Sequence, residues 1–148
     1  MSKMVIGGFL LFVLLFFVVW ITSFEYITIG DNDNETSSQS SARNAMTKSI
    51  NWGNARVNEE ITINEKVAEE AVLREYANST SFKEGNRMLN IYQVSGKPPL
   101  LAVESYSTIE TPFVDMANKY TKKNKTNKTI TRSREVIIYE AKGIEKND

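Results

Sequence analysis

The chain opens on an unbroken apolar run, Met4 to Phe24 (MVIGGFLLFVLLFFVVWITSF), which carries no charge and holds its hydroxyls, Thr22 and Ser23, at the far end. About 21 helical residues rising 1.5 Å each cover on the order of 32 Å, the thickness of a bilayer's hydrocarbon core. A helix apolar on every side has no place on the surface of a soluble domain. The pattern predicts a transmembrane helix over 4–24, with residues 1–3 before it and a body after it.

Beyond Phe24 the pattern breaks. Asp31 to Asn44 (DNDNETSSQSSARN) has no apolar residue except Ala42 and reads as a flexible polar linker or a helix start, so 25–43 is assigned as linker. Apolar positions then recur at steps of three and four, Ala42, Met46, Ile50, Gly53, Val57 and Ile61, which predicts a helical stem. Asn51-Trp52-Gly53-Asn54 reads equally as a turn within it. A second helix starts at a capping box, Thr62 with Glu65, in which each side chain would satisfy the other residue's free amide. Its stripe is Ala68, Val72 and Tyr76, and Asn78-Ser79-Thr80 ends it.

The second half alternates with period two. Met88–Val94 and Leu100–Glu110 read as strands around the turn Ser95-Gly96-Lys97-Pro98-Pro99, and Ile130–Ala141 as a third. Phe113–Tyr120 reads as a bridging segment. The fold class is α+β: a transmembrane helix, a helical stem and a small antiparallel sheet of about three strands, with one domain over 44–148. About 105 residues suffice for one modest core, to which the helices contribute the cover that a lone three-strand sheet lacks.

Composition removes chemistry rather than adding it. With no cysteine and no histidine, there is no disulfide framework, Cys–His or Ser–His nucleophile, or ordinary zinc site. Asp31, Asp33 and Glu35 alternate like a calcium loop, but Thr36 stands where glycine is needed and Ala42 where glutamate is needed. The paired glutamates at 59–60 and 69–70 are solvated helix positions, because adjacent residues do not face each other. Tyr92, Tyr106 and Tyr139 read as ordinary strand residues. No nucleotide motif occurs, and the expectation is a non-enzyme without cofactor, metal or small-molecule substrate.

Charge is balanced overall, 18 basic against 18 acidic residues, but unevenly placed. Lys119, Lys122, Lys123, Lys125, Lys128, Arg132 and Arg134 lie together with no acid between Met116 and Arg134. The run reads either as a solvated loop or as a patch for an anionic envelope polymer or lipid head groups. Nucleic acid is disfavoured because Tyr120 is the one ring within the run.

Orientation rests on Lys3 and the N-terminal amine, since the next basic residue is Arg43. Basic flanks stay cytoplasmic, which sends the C-terminal domain outside the cell. The run exceeds the 7–15 residues of a secretory signal core, and no Ala-x-Ala-like site follows Trp20. Gly8–Phe9, behind a short basic leader and ahead of an apolar helix, matches a prepilin cleavage site, although Val13 stands where pilins usually carry glutamate.

With that step, the order of elements resembles the pilin-like proteins, closest to the minor pilin-like proteins of tight-adherence and type IV-like pilus systems in bacteria. The resemblance implies a structural or assembly role in a pilus-like or secretion apparatus of the cell envelope. It implies partners among other envelope and membrane proteins, copies of this chain included.

Overall fold

The computed structural model describes residues 2–79, 81, 85–121 and 129–139. Its first element is one uninterrupted helix, α1 (Ser2–Ser49). At 1.5 Å per residue, its 48 residues run about 72 Å. Most apolar side chains from Met4 to Phe24 are exposed, and α1 meets the rest of the chain only toward the end of this run. Thr22, Ser23 and Thr28 each donate a hydroxyl to the carbonyl four residues back, so these polar groups are satisfied within the helix.

The segment 25–43 is not a linker. It continues α1, even though Asp, Asn, Ser and Thr are weak helix formers. Packing supplies what propensity lacks. Gly30, Asn34, Ser37, Ser38, Ser41, Ala42, Ala45, Met46 and Ser49 form a continuous buried face. Most of these side chains are small, so a second helix and a sheet can approach the α1 backbone closely. Ser41 donates to the Ser37 carbonyl at 2.5 Å, and Ser37 donates to the Ser79 carbonyl at 3.3 Å.

The expected stem ends earlier than its stripe. α1 stops at Ser49, Ile50 forms an isolated bridge with Ile63, and a short helix follows, α2 (Trp52–Asn58). The Asn51 side chain caps α2 by accepting from the Asn54 amide at 3.2 Å, and Val57 points into solvent.

The next helix is α3 (Glu65–Ser79), with Ala68, Val72 and Tyr76 buried as expected. The capping box does not form. Asn64 caps α3 instead, accepting from the Val67 amide at 3.3 Å, while Glu65 accepts from the Gly96 amide at 2.8 Å. Thr62 takes a hydrogen bond from the Asn54 side chain at 3.0 Å. α3 runs antiparallel to α1: Asn64 hydrogen-bonds near Ser49 and Tyr76 reaches Asn34.

Three strands, β1 (Asn86–Gly96), β2 (Pro99–Ile109) and β3 (Thr129–Ile138), make an antiparallel sheet with β2 in the centre. The bridging segment is a helix, α4 (Pro112–Thr121), between β2 and β3. Leu101, Val103, Ser105, Ser107 and Ile109 alternate on the inner face of β2, toward α1 and α3. A register shift between Ile91 and Gln93 lets both Ile91 and Val94 face inward, opposite Val103 and Leu101.

The interior is graded along α1. Far from the apolar segment, Ala42, Ala45, Met46, Ile63, Ala68, Val72, Leu101 and Val103 make the hydrophobic core. Nearer to it Ile109 and Tyr76 are buried among mostly polar groups: Asn34, Ser37, Ser38, Ser105, Ser107, Thr131 and Ser133. Tyr76 donates to Asn34 at 2.6 Å, and the partly buried Arg87 pairs with Asp33 at 2.7 Å, fastening β1 to α1. At Gly85, ahead of β1, φ is +92° and a Cβ would meet the Thr108 carbonyl oxygen at 1.7 Å, so glycine alone fits.

Leu101→Ala is expected to cost about 2–5 kcal/mol, measured by urea unfolding of the detergent-solubilised chain. Ser38→Leu should cost about 1–3 kcal/mol by the opposite mechanism, forcing bulk into the small-residue seam.

Candidate functional site

Among the described residues no helix covers the outer face of the sheet. Strand alternation places Met88, Asn90 and Tyr92 of β1 there, with Leu100, Ala102, Glu104 and Tyr106 of β2 and alternate residues of β3 from Ile130 to Ile138. Val136 and Ile138 lie exposed beside Ala102 and Leu100, an apolar strip at the end away from the apolar segment.

At the centre of this face stands an anomaly. Glu104 projects outward yet is 0% exposed. Its neighbours close over it. Arg134 sits directly opposite on β3 and donates Nε to Oε1 at 2.5 Å, and Arg132, two residues along the same strand face, donates Nε to the same oxygen. Tyr106 donates its hydroxyl to Oε2 at 2.5 Å, and Tyr92 donates to Oε2 from the far strand. The Arg132 guanidinium also lies over the Tyr106 ring, 5.4 Å from its centroid. Tyr92 sits at the register shift of β1, which leaves it without a direct partner on β2 and free to lean over Glu104.

Burial alone would raise the Glu104 carboxyl, but the hydrogen bonds from Tyr106, Tyr92 and Arg132 outweigh it and hold the group below its ordinary range. The bond to Glu104 in turn pushes the Tyr92 hydroxyl up to about 12. A carboxylate with both oxygens engaged by four donors and no exposed edge offers nothing to a substrate. Its role is to tie three strands and to fix four side chains on the surface.

Of the seven basic residues read either as a solvated loop or as a patch for an anionic partner, three lie among the described residues. Arg132 and Arg134 are engaged with Glu104 on the sheet. Lys119 lies on α4 and pairs with Asp115 at 2.8 Å. Lys122, Lys123, Lys125 and Lys128 lie outside the described residues. Gly8 and Phe9 are part of the exposed half of α1, with open space around Gly8. No group of three or more acids is placed to hold a metal ion among the described residues. Glu104, Tyr92 and Tyr106 went unassigned in the sequence. The available signal was Arg132-x-Arg134, whose spacing puts both cations on one strand face, where an acid across the sheet is favourable.

Tyr92 donates only while protonated, so its raised value means stability present below about pH 10 and lost as pH rises through about 12. Absorbance titration should show a late-ionising tyrosine that disappears in Tyr92→Phe. The Glu104 contribution runs the other way: present above the ordinary carboxylate range and lost as pH falls through its lowered value. The gap in melting temperature between the parent and Glu104→Gln should therefore close on acidification. A gap that persists at low pH would count against this role.

The profile of DUF5411, a domain of unknown function, matches residues 1–140, from the apolar segment through β3. No curated protein and no solved structure gives a significant match. With nearly its whole length covered, the chain belongs to the DUF5411 family.

Proposed function

We propose that this protein is a non-catalytic, single-pass membrane protein whose extracytoplasmic domain serves in the assembly of an envelope structure, a pilus-like or secretion apparatus. One observation carries the reading. α1 holds a segment long and apolar enough to cross a membrane, none of it buried in the chain, and the same helix continues without a break into the core of the folded domain.

A flexible tether would let the domain wander. A shared helix fixes its height and direction, as an assembling subunit requires and a soluble binding module does not. The elements follow in the pilin-like order: exposed apolar half-helix, packed half-helix, antiparallel sheet. The open outer face, with Val136 and Ile138 beside the Glu104 cluster, is the surface assigned to neighbouring subunits. Fixed aromatic and arginine side chains with an apolar strip are the composition of protein–protein contacts.

Two measurements test this. Protease added to whole cells or protoplasts should digest the domain beyond Glu25, and protection would place it in the cytoplasm. A photo-crosslinker at Val136 should trap neighbouring membrane proteins or a second copy at native expression. A strictly monomeric species there would overturn the assembly role.

A further inference from the structure

The exposed apolar surface does not end with α1. Helix α4 leaves the end of β2 and returns against α1 where the apolar segment finishes. Between them opens a cavity of about 410 Å³, walled by Phe16, Trp20 and Phe24 from α1 and by Phe113 and Val114 from α4. The position of α4 along α1 is therefore the position at which a spanning helix would emerge from the bilayer.

Three faces of α4 can be told apart. Val114 and Asn118 are partly buried, with Val114 on the cavity shared with α1. Asp115 and Lys119 form an exposed i,i+4 ion pair. The third face carries Phe113, Met116 and Tyr120 at spacings of three and four, and these are 45%, 43% and 84% exposed. Three large apolar side chains in a row on a ten-residue helix are costly in water, at roughly 25 cal/mol for each Å² of apolar surface left uncovered.

Placement decides what covers them. The face adjoins the exposed apolar wall of α1 and shares a recess with it, so the medium that surrounds Phe16 and Trp20 also reaches Phe113. Aromatic side chains with a polar edge gather at the head-group level, and Trp20 and Tyr120 both fit that zone. A short helix with one apolar and one charged face lies along such an interface.

Resting on the membrane-spanning reading above, we propose that α4 is an interfacial helix, its Phe113, Met116 and Tyr120 side chains set into the lipid surface beside the emerging α1. The domain is then held to the bilayer at two points, which fixes its rotation about α1 as well as its height.

The absence of cysteine makes the test direct, because any introduced cysteine is the single labelling site. The full chain is reconstituted into phosphatidylcholine vesicles with a fraction of phosphatidylglycerol. Nitroxide labels are placed one at a time at Leu14→Cys, Met116→Cys, Tyr120→Cys and Asp115→Cys, all exposed positions, with far-UV circular dichroism checking that each variant keeps its fold. Collision with oxygen, enriched in lipid, is compared with collision with a water-soluble nickel chelate.

Labels at 14, 116 and 120 should favour oxygen, and the label at 115 should favour nickel by several-fold. If 14 favours oxygen while 116 and 120 favour nickel, the interfacial helix is overturned and the anchor stands. A label at 14 that favours nickel overturns the anchor and the proposal together. Labels at 116 and 120 shielded from both reagents would mean that protein covers this face, which also overturns the proposal.

Discussion

The helix α3 and the strands β2 and β3 are built against one face of α1, and that face is made mostly of small side chains. Gly30, Ser37, Ser38, Ser41, Ala42 and Ala45 leave room for α3 and the inner sheet face to approach the helix backbone. Substantial side chains there would lift the sheet away and open the core around Met46, Leu101 and Val103. The same closeness makes a helix out of a stretch whose residues would not form one alone, because burial of the face offsets weak propensity. Fold and stem are thus one cooperative unit.

This explains where sequence reading succeeded. Wherever burial follows hydrophobicity, the pattern was legible. The stripes Ala42–Met46–Ile50 and Ala68–Val72–Tyr76 are buried or partly buried, and the three strands appear with ends shifted by a few residues. The apolar run was plain from composition alone. The reading failed where burial and hydrophobicity part company. Residues 25–43 looked like a linker because serine and asparagine score as polar wherever they sit, and only the partner surface of Ser105, Ser107, Thr131 and Ser133 reveals that they are inside. The capping box failed because Glu65 had a competing donor, the Gly96 amide, 31 residues away in the chain.

The site was less legible than the fold for a related reason. A run of basic residues in the sequence does not say which acids its members meet across the fold. Arg132 and Arg134 both meet Glu104, and Lys119 meets Asp115, while Lys122, Lys123, Lys125 and Lys128 lie outside the described residues. Glu104 itself sits in an unremarkable strand context, between Val103 and Ser105. Its significance comes from the register of β2 against β3 and from the shift at Tyr92, neither of which a single strand displays. Alternation assigns a residue to a face, but it takes the neighbouring strand to say what that residue meets.

The buried carboxylate has a consequence for any encounter on the sheet surface. Long side chains such as arginine ordinarily lose rotational freedom when a partner immobilises them, and that loss weakens binding by roughly 0.5–1.5 kcal/mol per side chain. Here Arg132, Arg134, Tyr92 and Tyr106 are already held from beneath by Glu104. The ordering has been done during folding, so a molecule meeting this face finds a stiff relief rather than a brush of mobile groups. A single acidic residue, invisible from outside, sets the mechanical character of the surface above it.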